Sequence, residues 1–326
     1  MESLLNALKA VAEPSRLRIL ALCQDAELTV SELVKILGQS QPRVSRHLKL
    51  LVEAGVLERF QEGSWVFHRA TRDGVGAQLG DAVANLIPAR DHHMIRDRER
   101  LAEVTRLRAK AAAAYFRDNA QAWDRLRALH IDEAEVERTI LEMLPKQKID
   151  DLLDIGTGTG RVLELLAQRV TRGLGIDASH EMLNVARAKL ERSDADHCRV
   201  RQTDMYQMPF PAAAFDAAVI HQVLHFVDDP AGVVGEAARV LQPGGHLLVV
   251  DFTPHGEESL RQDHAHRRLG FDDQEVAGWF SDAGLTMRET RHLAGEPLTV
   301  GVWLAEKRRG QRGLPIARAA AHPPSH

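Results

Sequence analysis

The chain begins with short helical patterns that are separated by clear turn signals. Apolar residues at helical spacing run from Pro14 to Cys23, and proline suits the first turn of a helix because its missing N–H is not needed there. Thr29 and Glu32 fit a capping box for a second helix over residues 30–37, which ends at Gly38. The pattern therefore predicts two short helices followed by a glycine turn.

A third helix and a hairpin come next. Val44 and Leu48 lie at helical spacing in a segment that begins near Ser40. Two aromatic or β-branched runs, residues 56–60 and 65–68, are separated by a polar turn and predict a β-hairpin. Helix, turn, helix and hairpin in this order form a winged helix-turn-helix, which reads DNA.

Hydrogen-bond donors crowd the start and the exposed face of the third helix, and no acidic residue interrupts them. In such a unit this helix enters the major groove while the wing touches the DNA backbone. The chain as a whole has 42 basic and 46 acidic residues and a net charge of -4, so any attraction to DNA must be local. The predicted DNA-binding residues are Gln39, Ser40, Gln41, Arg43, Ser45, Arg46, His47 and Lys49.

The segments Leu8–Ala12, Pro14–Leu20 and Gln41–Leu48 resemble the ArsR/SmtB family of winged-helix repressors. The resemblance covers about the first quarter of the chain and implies a homodimer bound to an operator in double-stranded DNA. Metal sensors of the family commonly carry paired cysteines before the recognition helix, and residues 28–33 contain none. We interpret Asp91–His93 as a solvated helix end, so no metal is expected.

Residues 73–148 change to an alanine-, arginine- and glutamate-rich composition that favours long helices. Pro88 breaks the pattern, and Arg96 with Glu99 places opposite charges three residues apart. In the resembled family such a helix pairs two subunits. The alternative is a solvated scaffold helix that packs on its own chain.

A strand, a glycine-rich turn and a helix follow. The apolar run 151–155 ends in three alternating glycines, and residues 162–166 continue as a helix. About 20 residues on, a second buried strand ends in Asp177, the arrangement that binds ribose hydroxyls in doubly wound sheets. A nucleoside cofactor is indicated.

The glycine spacing selects among nucleosides. A dinucleotide fingerprint needs glycine at position 161, where Arg161 stands, and the third glycine is Gly160. Asp154, two residues before the first glycine, would repel a pyrophosphate but suits a positively charged amino or sulfonium group. These features point to S-adenosylmethionine.

The region from about residue 115 to 304 resembles class I S-adenosylmethionine-dependent methyltransferases, especially the ubiquinone and menaquinone biosynthesis group. The matching blocks are 154–160, 177–182, 202–205, 215–221 and 241–250. The resemblance implies S-adenosylmethionine or S-adenosylhomocysteine as the ligand, and a tyrosine near the cofactor upstream of the first strand. The residues expected to hold the cofactor are Tyr115, Asp154, Gly156, Thr157, Gly158, Gly160, Asp177, Ala178, Met182, Asp204, Met205 and His221. Trp123 is a weaker candidate, and core packing is the alternative for both aromatic residues.

Methyl transfer depends mainly on positioning, and only some acceptors need a base. His221 and His225 follow the predicted fourth strand and are the catalytic candidates; a wall role is the alternative for each. The histidines of residues 261–268 are interpreted as lying on a charged amphipathic helix face. Arsenite methylation is set aside because it requires cysteine thiols and Cys198 stands alone in this region.

Together these segments predict a mixed fold with two domains. We expect an N-terminal all-α winged-helix domain over residues 1–72, a helical connector and dimerisation region over 73–148, a C-terminal α/β Rossmann-like methyltransferase domain over 149–306, and a disordered tail over 307–326. The N-terminal residues interleave charge, no apolar run approaches about 18 residues, and the two cysteines build no disulfide framework, which predicts a cytoplasmic protein without a membrane span.

Three hypotheses follow from this organisation. The first is a DNA-binding transcriptional regulator in which the S-adenosylmethionine or S-adenosylhomocysteine site controls operator binding. The second is an active methyltransferase of an unknown small-molecule acceptor, whose winged helix serves localisation, autoregulation or dimerisation. The third is a winged helix that only dimerises.

Overall fold

The computed structural model of the protein describes residues 1–62, 65–71, 74–88, 90–120, 132–193, 195 and 197–308. Trp123 and the side chain of Tyr115 lie outside this described part. The helices are α1 (Glu2–Val11), α2 (Pro14–Asp25), α3 (Val30–Leu37), α4 (Gln41–Glu53), α5 (Gly74–Leu86), α6 (His92–Asn119), α7 (Glu133–Met143), α8 (Arg161–Leu166), α9 (His180–Leu190), α10 (Pro230–Val240), α11 (Glu258–Asp263) and α12 (Asp273–Asp282). The strands are β1 (Leu28–Thr29), β2 (Leu57–Glu62), β3 (Trp65–Ala70), β4 (Ile149–Ile155), β5 (Val170–Asp177), β6 (Cys198–Gln202), β7 (Phe215–His221), β8 (Leu241–Phe252), β9 (Leu285–Leu293) and β10 (Val300–Lys307).

The N-terminal unit is a winged helix-turn-helix, as the sequence predicts. Its three strands form a small antiparallel sheet in the order β1-β3-β2. The apolar sides of the helices meet in one core, in which Ile19, Leu33, Val44 and Leu48 are fully or almost fully buried.

The predicted capping box at the start of α3 is confirmed. The Glu32 backbone N–H donates to the Thr29 hydroxyl, and the Glu32 carboxylate accepts from the Thr29 backbone N–H at 2.9 Å. Gly38 ends the helix with φ of 65°, a left-handed conformation that glycine adopts without a steric penalty. The turn that aims α4 is therefore fixed by local residues.

Helix α6 is bound to the winged helix through a buried ion pair. Arg18 of α2 donates to both carboxylate oxygens of Asp97 at 2.5 and 2.7 Å, and Asp97 has no exposed surface. The hydrogen bond to this carboxylate raises the pKa of Arg18. Arg100, one turn further along α6, donates to the carbonyl oxygen of Ile36 at 2.7 Å. These contacts attach the long helix α6 to both α2 and α3.

The C-terminal unit is built on a seven-stranded sheet in the order β6-β5-β4-β7-β8-β10-β9. All neighbouring strands up to β8 are parallel, and β10 is antiparallel to both β8 and β9. Helices cover both faces, because alternate strand residues such as Leu152 and Leu153 of β4 belong to separate apolar cores on opposite sides. This is the Rossmann-like arrangement that the sequence predicts.

The interpretation of residues 261–268 as an amphipathic helix face is wrong. Helix α11 ends at Asp263, and Ala265 adopts a φ of 58° that turns the backbone. The backbone N–H groups of Arg267 and Arg268 then donate to the carbonyl oxygen of His225 at 2.8 and 3.0 Å. We call residues 261–268 the strap, since they contact both the turn after β7 and the wing.

The strap binds the aromatic side of the wing. The guanidinium groups of Arg261, Arg267 and Arg268 lie over the rings of Trp65, Phe67 and Phe60 at 4.8, 5.4 and 5.3 Å, respectively. Cation–π contacts of this kind contribute about 0.5–2 kcal/mol each, depending on desolvation. The wing is therefore held by the C-terminal unit on its aromatic side.

No helix within the described ranges has both the length and the apolar character needed to cross a membrane. Within the same ranges, no group of three or more His, Cys, Asp or Glu side chains is placed to hold a metal ion.

The Arg18–Asp97 pair provides a test of how α6 is attached. Replacing Arg18 with methionine leaves a buried carboxylate without its guanidinium, and we expect the free energy of unfolding to fall by about 3–5 kcal/mol. Arg106→Met on the same helix breaks an exposed pair with Glu103 and should leave the free energy of unfolding nearly unchanged. Urea denaturation followed by circular dichroism measures both. Equal losses in the two variants would contradict the assignment.

Candidate functional site

A cavity of about 960 Å³ opens at the carboxyl ends of β4, β5 and β7. The chain runs from β4 outward to β5 and β6 and then returns to β7 on the other side of β4. Ligands of doubly wound sheets bind at such a reversal of strand order. The fold therefore places ten of the twelve predicted cofactor residues around one opening, Gly160 and Tyr115 not being among its lining residues.

The turn after β4 is shaped by glycines in left-handed conformations. Gly156, Gly158 and Gly160 have φ of 70°, 52° and 80°. A Cβ at Gly156 would lie 2.4 Å from a methyl group of Val223, so the turn leaves room only for hydrogen there. Gly156 and Gly158 line the cavity. Gly160 does not; a Cβ there would lie 3.1 Å from that of Ala186, which indicates that Gly160 shapes the turn and its packing on α9.

Asp177 ends β5 and lines the cavity. One oxygen accepts the backbone N–H of Gly158 at 2.9 Å and the other accepts that of Ser179 at 2.8 Å. Burial raises the pKa of Asp177, and these backbone hydrogen bonds oppose the increase. A carboxylate has about four acceptor positions, so Asp177 retains acceptor capacity for a ribose hydroxyl beside these backbone N–H groups.

Asp154 is the buried acid at the end of β4. It is 1% exposed, lines the cavity and accepts the hydroxyl of Thr157 at 2.5 Å. The hydroxyl fixes the carboxylate orientation, and a carboxylate at this depth attracts a cationic group strongly because the local dielectric is low.

The opposite wall consists of the residues predicted to border the adenine. Met182 is buried at the start of α9, and the carbonyl oxygen of Ala178 accepts the side-chain amide of Gln202 at 2.8 Å. Asp204 accepts the backbone N–H of Tyr206 at 2.9 Å, and Met205 follows it along the wall. This wall thus offers both apolar side chains and hydrogen-bond acceptors, which suits a purine with an exocyclic amine.

His221 and His225 occupy different places. His221 ends β7 at 8% exposure and lines the cavity. The ring of His225 is 2% exposed, lies outside the cavity lining, and pairs through Nδ1 with the fully buried Asp251 at 2.6 Å. The Asp251 carboxylate also accepts the backbone N–H of Phe252 at 2.8 Å. The catalytic proposal therefore rests on His221, and His225 holds the turn after β7.

Gln222, which lies between His221 and His225 just after the predicted fourth strand, is a further residue of the site. It adopts a φ of 54°, its side chain is 6% exposed and lines the cavity, and its amide nitrogen has no hydrogen-bond partner among the described residues. A non-glycine residue in this conformation occurs preferentially at functional sites. The position after a predicted strand was the only available signal, because the sequence does not reveal backbone angles.

The predicted DNA-binding residues lie in and just before α4 and divide into two groups. Ser40, Gln41, Arg43, Ser45, Arg46 and Lys49 are exposed. Gln39 instead donates to the hydroxyl of Ser15 at 3.0 Å, and His47 lies 3.8 Å from Glu13. Burial lowers the pKa of His47. The exposed group therefore forms the candidate reading surface, while Gln39 and His47 brace it from within.

These observations fit S-adenosylmethionine or S-adenosylhomocysteine. The glycine turn leaves backbone open to the cavity, Asp177 retains acceptor capacity for a ribose, and Asp154 supplies a buried negative charge. Pyrophosphate-containing nucleotides fit poorly, since both carboxylates would repel them.

Two family models match the chain. Residues 153–249 match the model described as "Methyltransferase domain", and residues 13–59 match the one described as "Bacterial regulatory protein, arsR family". The methyltransferase match contains β4, β5 and β7 with their carboxyl ends, and it supports S-adenosylmethionine as the cofactor. The second match contains α2 to α4 and the start of the wing.

Two of the curated relatives are methyltransferases of bacteria. The chain is 33% identical over 152 residues to a demethylmenaquinone methyltransferase of Tropheryma whipplei, covering 47% of this chain and 60% of that protein. It is 35% identical over 133 residues to a phosphatidylethanolamine N-methyltransferase of Cereibacter sphaeroides, covering 40% of this chain and 63% of that protein. Each match thus leaves more than a third of the relative outside.

A solved structure shares the fold of the C-terminal unit. It is the complex of the Haloferax volcanii Trm112 methyltransferase activator with a methyltransferase, with a TM-score of 0.51 and 22% identity over 59% of this chain and 97% of that chain. The similarity at this level describes the fold alone.

Loss of the Asp177 carboxylate tests the cofactor assignment. Asp177→Ala removes the acceptor for a ribose hydroxyl, and we expect the dissociation constant for S-adenosylhomocysteine to rise by roughly 100-fold, as the loss of a hydrogen bond to a charged group implies. Isothermal titration calorimetry measures it. Asp150→Ala, on β4 but outside the cavity, is the matched control. Unchanged affinity in Asp177→Ala would refute the site.

Proposed function

We propose that this chain, in which an ArsR-family helix-turn-helix domain is fused to a methyltransferase domain, is a transcriptional regulator whose operator binding responds to S-adenosylmethionine or S-adenosylhomocysteine. The observation that carries the proposal is the strap. Its residues Arg261, His266 and Arg267 line the cavity, and its three arginines hold the wing. Cofactor site and DNA-reading domain therefore share one segment.

The DNA-binding part of the proposal rests on α4 and the wing. Arg43 and Arg46 are exposed on α4 and have no ion-pair partner within the described ranges, which leaves them available to phosphates and base edges. Arg59 is exposed on β2, next in sequence to Phe60, whose ring meets the strap. Alternating side chains point to opposite faces of a strand, so the wing offers one side to the strap and the other to DNA.

Coupling requires that the ligand favour one arrangement of the wing over another. A molecule in the cavity touches the strap directly, and the strap backbone is bonded to the turn after β7 through the carbonyl oxygen of His225. A change in that turn therefore moves the arginines that hold the wing. Helix α6 provides a second connection, because it is tied to α2 by Arg18 and its Phe116 ring contacts Phe226 at 4.7 Å.

We also propose a homodimer, in keeping with the two-fold symmetry of most operators. Leu4, Leu5 and Leu8 of α1 are 37%, 47% and 41% exposed and lie on one short helix. Clustered exposed leucines of this kind mark protein interfaces. The dimerisation region proposed for residues 73–148 contains α5 to α7, and α5 packs beside α1. A cytoplasmic location follows from the proposed operator.

The domain limits inferred from the sequence remain our proposal: winged helix over 1–72, helical connector over 73–148, methyltransferase domain over 149–306 and tail over 307–326. Strand β10 ends at Lys307, close to the third limit. Residues 309–326 of the tail lie outside the described part.

The second candidate function is methyl transfer to a small molecule, and the position of His221 favours it. The cofactor supplies an electrophilic methyl group when bound. In this chain Asp154 and Asp177 would hold the cofactor, and the buried carboxyl ends of the strands would exclude water from it. His221 faces the same opening and could accept a proton from an acceptor hydroxyl or amine.

Operator affinity with and without ligand tests the regulatory proposal. Operator DNA selected from a random pool is titrated at fixed salt with the chain alone, with S-adenosylmethionine and with S-adenosylhomocysteine. We expect at least one ligand to change the affinity by about fivefold or more, the usual lower range of allosteric coupling. In the double variant Arg43→Ala, Arg46→Ala, the slope of log operator affinity against log salt concentration should become shallower by about two. Identical affinities in all three states would refute regulation.

The matched control for that experiment is Arg187→Ala with Arg199→Ala, which removes the same charge from exposed positions of the methyltransferase domain. DNA affinity should stay unchanged in this control. Transfer of labelled methyl groups to a cell extract distinguishes the second function. Tight cofactor binding without transfer favours the regulator.

A further inference from the structure

The cavity extends well beyond the residues that fit the cofactor. Its far wall comes from the winged helix and the connector, with Ala26, Trp65, Leu101, Thr105 and Phe116. Its volume of about 960 Å³ is at the upper end of the ~300–1,000 Å³ that single ligand sites occupy. Cofactor groups are held at the strand ends, so the part between the domains is left for another molecule. We call this part the interdomain compartment.

Aromatic rings form most of the interdomain compartment. The Phe226 ring meets the Phe116 ring edge-on at 4.7 Å and the His266 ring at 5.0 Å. Trp65, 40% exposed, also lines the compartment, with the guanidinium of Arg261 over its ring at 4.8 Å. A flat ring inserted among these faces gains edge-to-face and stacking contacts that an aliphatic molecule does not.

The arginines that line the compartment already have partners, while Asp25 beside Ala26 is exposed to solvent. Arg267 pairs with Asp228 at 2.5 Å and Arg261 with Glu258 at 3.4 Å. Arg117 lies 3.5 Å from Asp118. An anionic ligand would have to draw an arginine out of one of these pairs, whereas a neutral ligand leaves all of them intact.

We propose that the interdomain compartment is a second ligand site, which takes a neutral, planar aromatic small molecule between the two domains. The molecule contacts Trp65 of the wing, Phe116 of α6 and Phe226 of the methyltransferase domain at once. The site itself stands on these lining residues, and its regulatory consequence rests on the function proposed above. The bound molecule holds the wing against the strap and so favours the arrangement in which the two domains are in contact.

The probe for this site is 2-naphthol, a neutral planar phenol, titrated calorimetrically into the full chain with S-adenosylhomocysteine present. We expect saturable binding at one site per chain. Thr105→Trp fills the compartment and should abolish it. Leu107→Trp makes the same kind of change two residues along α6, at a side chain that is 53% exposed and outside the cavity, and should leave binding unchanged.

A second variant keeps the proposal testable if Thr105→Trp disturbs the fold. Trp65→Ala removes a half-exposed ring and should weaken 2-naphthol binding by roughly two- to tenfold, the loss of one aromatic contact. Failure of the wild-type chain to bind the probe, or equal binding in Thr105→Trp and Leu107→Trp, would overturn the second site.

Cofactor affinity measured in the same samples separates this proposal from the previous one. S-adenosylhomocysteine should bind the wild type, Thr105→Trp and Leu107→Trp with affinities within about threefold of one another. Loss of 2-naphthol binding alone supports the second site. Cofactor binding without any probe binding refutes the second site and leaves the proposed function standing.

Discussion

The carboxylate of Glu27 lies between guanidinium groups from both domains, and the relation of the domains depends on it. Arg69 of the wing donates to one oxygen at 3.1 Å, and Arg268 of the strap donates to the other at 3.0 Å. Glu275 at the start of α12 completes the cluster, 3.0 Å from Arg268 and 3.5 Å from Arg69. Burial lowers the pKa of Arg69, but the carboxylates of Glu27 and Glu58 outweigh it and raise the value overall.

With such a cluster, the two domains are expected to be either in contact or fully separated, and intermediate arrangements are disfavoured. Its side chains are between 5% and 20% exposed, so each would leave a poorly solvated charge if only one partner moved away. Separation of the domains must therefore release the whole set to water. A molecule in the cavity acts on this balance because Arg267, the neighbour of Arg268, lines the cavity and donates to the carbonyl oxygen of Glu27 at 3.1 Å. A bound ligand and the wing therefore contact the same few residues of the strap.

Local features of both domains could be predicted from the sequence, while their junction could not. The capping box at Thr29, the stop at Gly38 and the limits of β7 depend on neighbouring residues, and the structure agrees with each. The roles of Arg18 and Arg268 depend on partners 79 and 241 positions away. Charged residues at helical spacing in the strap favoured an exposed helix face, because periodicity does not reveal that a second domain covers them. Asp251 was hidden because its partner His225 lies 26 positions away, after a neighbouring strand.

The central claim is that the cofactor and the operator bind to one coupled system, and linkage makes this measurable from the cofactor side. S-adenosylmethionine and S-adenosylhomocysteine are titrated calorimetrically into the full chain, with and without saturating operator DNA at the same salt. The account predicts that DNA changes the affinity of the effective ligand by the same factor by which that ligand changes operator affinity. Affinities that are equal with and without DNA for both ligands would contradict it.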